Sequence, residues 1–217
     1  MADPRKLLES LFDADRALRA AEEAFLDAAE EKALARTLVA AVKDAFALDD
    51  ADEQEMRLVR LADLCAQVPG PETVDALLTI LDHHEPAVRS EAGECILDVA
   101  YERFKEVALA IEARLSRQHD GESMEELPFI LAEIRDPDPL PLLARFLGHP
   151  RAAIVAAAIE AVTGYGDPSV IRHLEALTED PREVTLPELD DATATIGDLA
   201  ADAIAELEGE PREDDEA

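Results

Sequence analysis

Pro86-Ala-Val-Arg-Ser-Glu-Ala-Gly-Glu-Cys-Ile96 is answered 66 residues later by Ala152-Ala-Ile-Val-Ala-Ala-Ala-Ile-Glu-Ala-Val162. Placing Val88 on Ile154 puts Ala92 on Ala158, Cys95 on Ala161 and Ile96 on Val162, so the offset reads as two periods of 33. Self-similarity at that period is the mark of a solenoid of helical hairpins, in which each unit buries its apolar face only by stacking on its neighbours.

Working outward, the unit is a helix, a short turn rich in Pro or Gly, and a second helix. It is expected at 53–67 with 72–82, 86–101 with 104–115, 124–134 with 139–147, and 152–162 with 168–177. The second helices keep the period on their own, because Leu78, Ile111, Leu143 and Leu174 are spaced 33, 32 and 31 apart. A last helix at 196–207, with Ala200, Ala203 and Ile204 inward, has no partner after it. Upstream, Asp3-Pro4 is a helix start, and 5–68 contains neither Pro nor Gly. Residues 4–48 read as one long helix or, better, as a hairpin broken near 27–31, since helices much beyond 25 residues are unusual in a compact domain. The expected fold is all-α, a right-handed α-α superhelix, divided into a helical cap at 1–52, the solenoid at 53–207 and a disordered acidic tail at 208–217. The connection 181–195 is unusually long for such an array. Its Val184, Leu186, Pro187 and Leu189 are suited to covering the end of the core.

Composition agrees. Apolar residues are 48% and aromatic residues 4%, with no Trp, so the core is built from Ala, Leu, Ile and Val at helical spacing. Cys65 and Cys95, 30 residues apart, read as small core residues on neighbouring first helices. The net charge of −31 repels a phosphate backbone and attracts a basic protein surface, and like-charge repulsion favours a monomer. No window resembles a membrane span and Met1–Ser10 does not resemble a leader, so a cytoplasmic protein is expected.

These residues resemble the HEAT-repeat family, in particular the short bacterial repeats of the phycobilisome-lyase type. Glu85-Pro86-Ala87-Val88-Arg89 with Ala92 and Ile96 is similar to the family's first helix, Gly164-Tyr-Gly166-Asp-Pro168 to its turn, and Pro139-Leu-Pro-Leu-Leu-Ala-Arg-Phe-Leu147 to its second helix. The likeness covers 53–207. It implies a protein-binding scaffold; some family members act in bilin attachment, and one branch reads DNA. The family's Arg stands at Arg89 but is replaced by Val155 and Gly197 in the later units, which weakens any Asp/Arg ladder between repeats.

Chemistry is harder to find. His83-His84 reads as a solvated turn that falls short of a zinc ligand set, and acid pairs such as Glu22-Glu23 and Glu125-Glu126 point about 100° apart on a helix. No phosphate loop, nucleophile elbow or catalytic constellation is visible, and no cofactor or metal is expected. A partner would lie along the second helices, whose outward positions include Asp75, Thr79, Asp82, Glu106, Arg145, Arg172 and His173. The expected function is a non-enzymatic adaptor for a basic protein. The alternatives are an acidic immunity or inhibitor protein covering a toxin or nuclease and, behind it, a lyase-type enzyme.

Overall fold

A computed structural model describes residues 3–186 and 192–209. The N-terminal segment resolves into two helices, α1 (Pro4–Leu26) and α2 (Glu31–Phe46), joined at 27–30. The Asp3 carboxylate accepts from the Arg5 amide at 3.1 Å, so the cap and Pro4 start α1 together. Next comes α3 (Ala51–Gln67), capped by Asp50, which accepts from the Glu53 amide at 3.1 Å. Gly70, at φ 139°, takes a conformation that side chains avoid and admits Pro71 as the first residue of α4 (Pro71–Leu81).

The two helices expected at 86–101 and 104–115 are one element, α5 (Pro86–Ser116), bent at Arg103, whose φ of −138° and ψ of 43° are not helical. The Arg103 guanidinium donates to the Ala66 carbonyl, which ties the bend to the end of α3. The array continues as α6 (Ser123–Ala132), α7 (Leu140–Phe146) and α8 (Ala152–Tyr165), which ends on left-handed Gly166. The fourth second helix is broken into a 3-10 turn at Pro168–Val170, α9 (Ile171–Leu174) and another 3-10 turn at Glu175–Leu177. The last helix, α10 (Ile196–Glu208), opens on a reciprocal capping box between Thr195 and Asp198.

First helices stack on first helices, with α3 on α5, α6 on α8 and α8 on α10; second helices follow, with α2 on α4 and α4 on α5. The repeating positions form the core. Val88, Ile154, Ala92, Ala158, Ile96 and Val162 are fully buried, as are Leu78, Ile111, Leu143 and Leu174 of the second row. Each large one is worth about 1.5–3 kcal/mol of burial, so the 33-residue period records the interior of an all-α helical solenoid. Cys65 and Cys95 lie in that interior on α3 and α5.

The connection 181–195 departs from expectation. Part of it is an antiparallel ribbon of β1 (Glu183–Leu186) and β2 (Ala192–Thr195), a small β element set into the helical array. Val184 faces half-buried Ala194 toward the core while Thr185 faces Thr193 in solvent. That two-residue alternation of β-branched residues is a strand pattern, which the helical period around it obscured. Pro187 and Leu189, and the tail from 210 onward, lie outside the described residues.

Candidate protein-binding surface

The outward side of the second helices is occupied at its centre by a buried cation. Arg114, on the second half of α5, is 4% exposed. It donates to the Asp75 carboxylate at 3.1 Å, the Asp75 carbonyl at 2.9 Å, the Thr79 hydroxyl at 2.8 Å and the Asp82 carboxylate at 2.8 Å. Asp82 also lies 2.7 Å from His119 Nε2 and accepts from the Ser123 amide at 2.9 Å. Burial by itself would raise the Asp82 carboxyl, but its contacts with Ser123 and His119 outweigh that and hold it below the ordinary carboxylate value. Asp75, Thr79 and Asp82 are therefore brought together by Arg114 and spend their polar atoms joining α4 to α5. Such a satisfied network fixes the register of two repeats. Arg114 was absent from the sequence candidates because it stands three residues after Ile111 in an ordinary helical pattern.

The remaining candidates are dispersed. Glu106 accepts from the Gly70 amide at 2.9 Å and pairs with Arg103 at 3.5 Å. Arg145 pairs with Glu112 at 2.5 Å, linking α7 to α5. Arg172 and His173 border a separate hollow of about 300 Å³ with Asp138 and Ala144.

Beside Asp75 a larger groove opens between α2, α4 and the second half of α5, with a volume of about 790 Å³. Ala35, Val39, Leu109 and Ala113 give it an apolar floor, and its charged rim mixes Glu31, Glu72 and Asp75 with Lys32, Arg36 and Arg117. Val39 and Leu109 are 40% and 49% exposed, an unusual state for large aliphatic side chains that stand together. The sequence pointed to the second-helix row but missed the groove, because α2 precedes the recognisable repeats.

The opposite job, holding the stack together, falls to the loops. His83 and His149 are buried, at 2% and 4% exposure, so His83 is not the solvated turn residue its setting suggested. The His83 ring bonds Gln54 at 2.9 Å, and the Gln54 amide reaches the carbonyls of Ala45, Phe46 and Leu48 at the end of α2. The His149 ring bonds the His119 carbonyl at 3.0 Å. Arg89 donates to the carbonyls of His83 and His84 and pairs with Glu126; Arg151 donates to the Asp120 carbonyl, and Arg182 to those of His149 and Pro150. An arginine ladder thus survives the Val155 and Gly197 replacements, supplied from other positions.

Among the described residues one trio has convergent ligand atoms. Asp63, Glu91 and Cys95 lie within 4.8 Å of one another. Burial, and then Asp63, raises the Glu91 carboxyl, while burial and the neighbouring acids push the Cys95 thiol to about 12. Asp63 is also paired with Arg60 at 2.9 Å. Three ligands of mixed type, one of them a carboxylate already paired with Arg60, fall short of a closed four-ligand zinc set.

Stacked hairpins with a loop ladder inside and a groove along the second helices define a helical solenoid, a class that works by presenting surface. The family model described as HEAT repeats matches residues 113–186, and over that stretch the chain is similar to HEAT-repeat proteins. No curated protein matches, and no solved structure does. Among the described residues no helix is long and apolar enough to cross a membrane.

Proposed function

We propose that this protein is a non-enzymatic HEAT-repeat scaffold that holds a basic partner protein in the groove between α2, α4 and the second half of α5. The observation that carries the reading is the apolar floor of Val39 and Leu109, left open beside the buried, hydrogen-bonded Arg114. A preformed apolar floor with a charged rim is the anatomy of a protein interface, with the floor giving affinity and the rim specificity. The net charge of −31 favours a basic partner and speeds its approach, and it opposes the DNA-reading mode of the family. The same charge supports a second reading, in which the basic partner is a toxin or nuclease that the solenoid covers and inhibits.

Affinity capture on the full chain from its native host, eluted in steps of rising salt, tests both. The expected result is a basic protein retained in stoichiometric amount and released as salt screens the charges. No such protein, or retention indifferent to salt, contradicts the proposal. Inhibition of a captured nuclease or toxin distinguishes the second reading from the first.

A further inference from the structure

We propose that α1 pairs with the α1 of a second copy, antiparallel, to form a dimer through the seam of Leu7, Leu11, Ala14 and Leu18. Every residue from Asp3 to Ala21 is exposed, including Leu7 at 59%, Leu11 at 63% and Phe12 at 45%. The helix is nevertheless held at its far end, where Phe25 and Leu26 pack on the core and Glu22 meets Arg60 of α3 at 2.9 Å. A fixed helix therefore carries an uncovered apolar stripe.

The stripe is long and narrow, a shape that a second helix covers. Leu7, Leu11, Ala14, Leu18, Ala21 and Phe25 are separated by four, three, four, three and four residues, a mean of 3.6 that keeps them on one straight face of α1. Alternating steps of four and three are those of the positions that two paired helices bury between them.

Charge chooses the second copy and its direction. The helix α1 contains five acids and four bases, a near balance in a chain whose net charge is −31, so this is where two copies approach with little of the repulsion that otherwise favours a monomer. The order of those charges runs against the helix dipole: Arg5 and Lys6 sit at the start and Glu22 and Glu23 at the end, with no acid in the first turn and no base in the last. An antiparallel neighbour sets the basic start of each helix against the acidic end of the other. At 1.5 Å per residue α1 is about 34 Å long, so this arrangement also keeps the two acidic solenoids at opposite ends. A parallel pair would place like charges and both solenoids side by side.

The test is the mass of the full chain in solution at high micromolar concentration, by light scattering or sedimentation equilibrium, with Leu11→Glu/Leu18→Glu as the comparison. Because α1 buries no residue within its own chain, the variant keeps the helical content of the native protomer. The expected masses are twice 23.6 kDa for the native chain and 23.6 kDa for the variant. Direction is read by mixing Leu11→Cys and Ala21→Cys chains under oxidation, positions that an antiparallel seam sets opposite each other: cross-links between the two variants support the antiparallel pair, and Leu11→Cys joined to itself overturns it. A monomeric native chain, whether or not it binds anionic vesicles through α1, or a dimer untouched by the glutamates, overturns the proposal as a whole.

Discussion

His83 and His149 stand 66 residues apart and make the same bond: each Nδ1 accepts the amide of the residue two positions on, Glu85 or Arg151, at 3.1 Å. The ring of each is then free to donate from Nε2 to a preceding repeat. One imidazole tautomer is thus used twice, at the period of the fold, to join a loop to the unit before it.

Acid weakens these joints. Burial, the largest cause in both, lowers the two imidazoles below the ordinary value of 6.5. The unfolded chain therefore binds protons at a higher pH than the folded one, so the contribution is complete above 6.5 and is lost as pH falls through that value. The urea midpoint is expected to drop between about pH 7.5 and about pH 5.5, and His83→Phe/His149→Phe to flatten the drop. His149→Phe also leaves the His119 carbonyl and Arg151 amide unpaired, at a cost of about 1–3 kcal/mol at neutral pH.

Arg114 is expected to be the costliest exposed-looking residue to remove. Arg114→Met leaves Asp82 without its cation in a half-buried site and should destabilise by about 3–5 kcal/mol, the range for breaking a buried pair. Arg117→Met, whose side chain is 64% exposed and 3.5 Å from Asp75, should change stability by less than about 0.5 kcal/mol. Equilibrium urea unfolding of the two variants decides it.

Two glycines should respond in opposite directions to alanine. A Cβ on Gly197 would lie 2.7 Å from the Thr178 carbonyl, a backbone contact that cannot step aside, so Gly197→Ala is expected to lower stability by about 2 kcal/mol or more. Gly164, inside α8, has nothing within 4 Å of that position, and Gly164→Ala should raise stability by about 0.5–1 kcal/mol. Thermal midpoints measured side by side provide the comparison.

The two thiols are predicted to be silent in the folded chain. Burial pushes both Cys65 and Cys95 to about 12, so neither is a thiolate at neutral or mildly alkaline pH. A thiol-reactive chromophore should titrate no sulfur in buffer and two in denaturant.

The core was readable because its positions recur: Val88 and Ile154, or Leu78 and Ile111, are buried for the same reason and spaced by the same period. The groove and the loop joints were not, because their partners are remote in sequence and follow no period. Arg114 reaches Asp75 across 39 residues, and Arg182 reaches His149 across 33. The β ribbon was missed for another reason, since its four-residue strands are shorter than the windows in which helical spacing is judged. Gly197, which read as a lost arginine, is instead the residue that allows α10 to approach the carbonyls of Thr178 and Asp180.

The central claim is that the α2, α4 and α5 groove is where a partner protein sits, and Val39→Glu/Leu109→Glu tests it most directly. Both side chains are exposed, so the double variant folds as the native chain does while its groove carries two charges on an apolar floor. Affinity capture with the two chains in parallel should show a stoichiometric protein on the native chain that is absent from the variant. Equal retention of that protein by both chains would contradict the account.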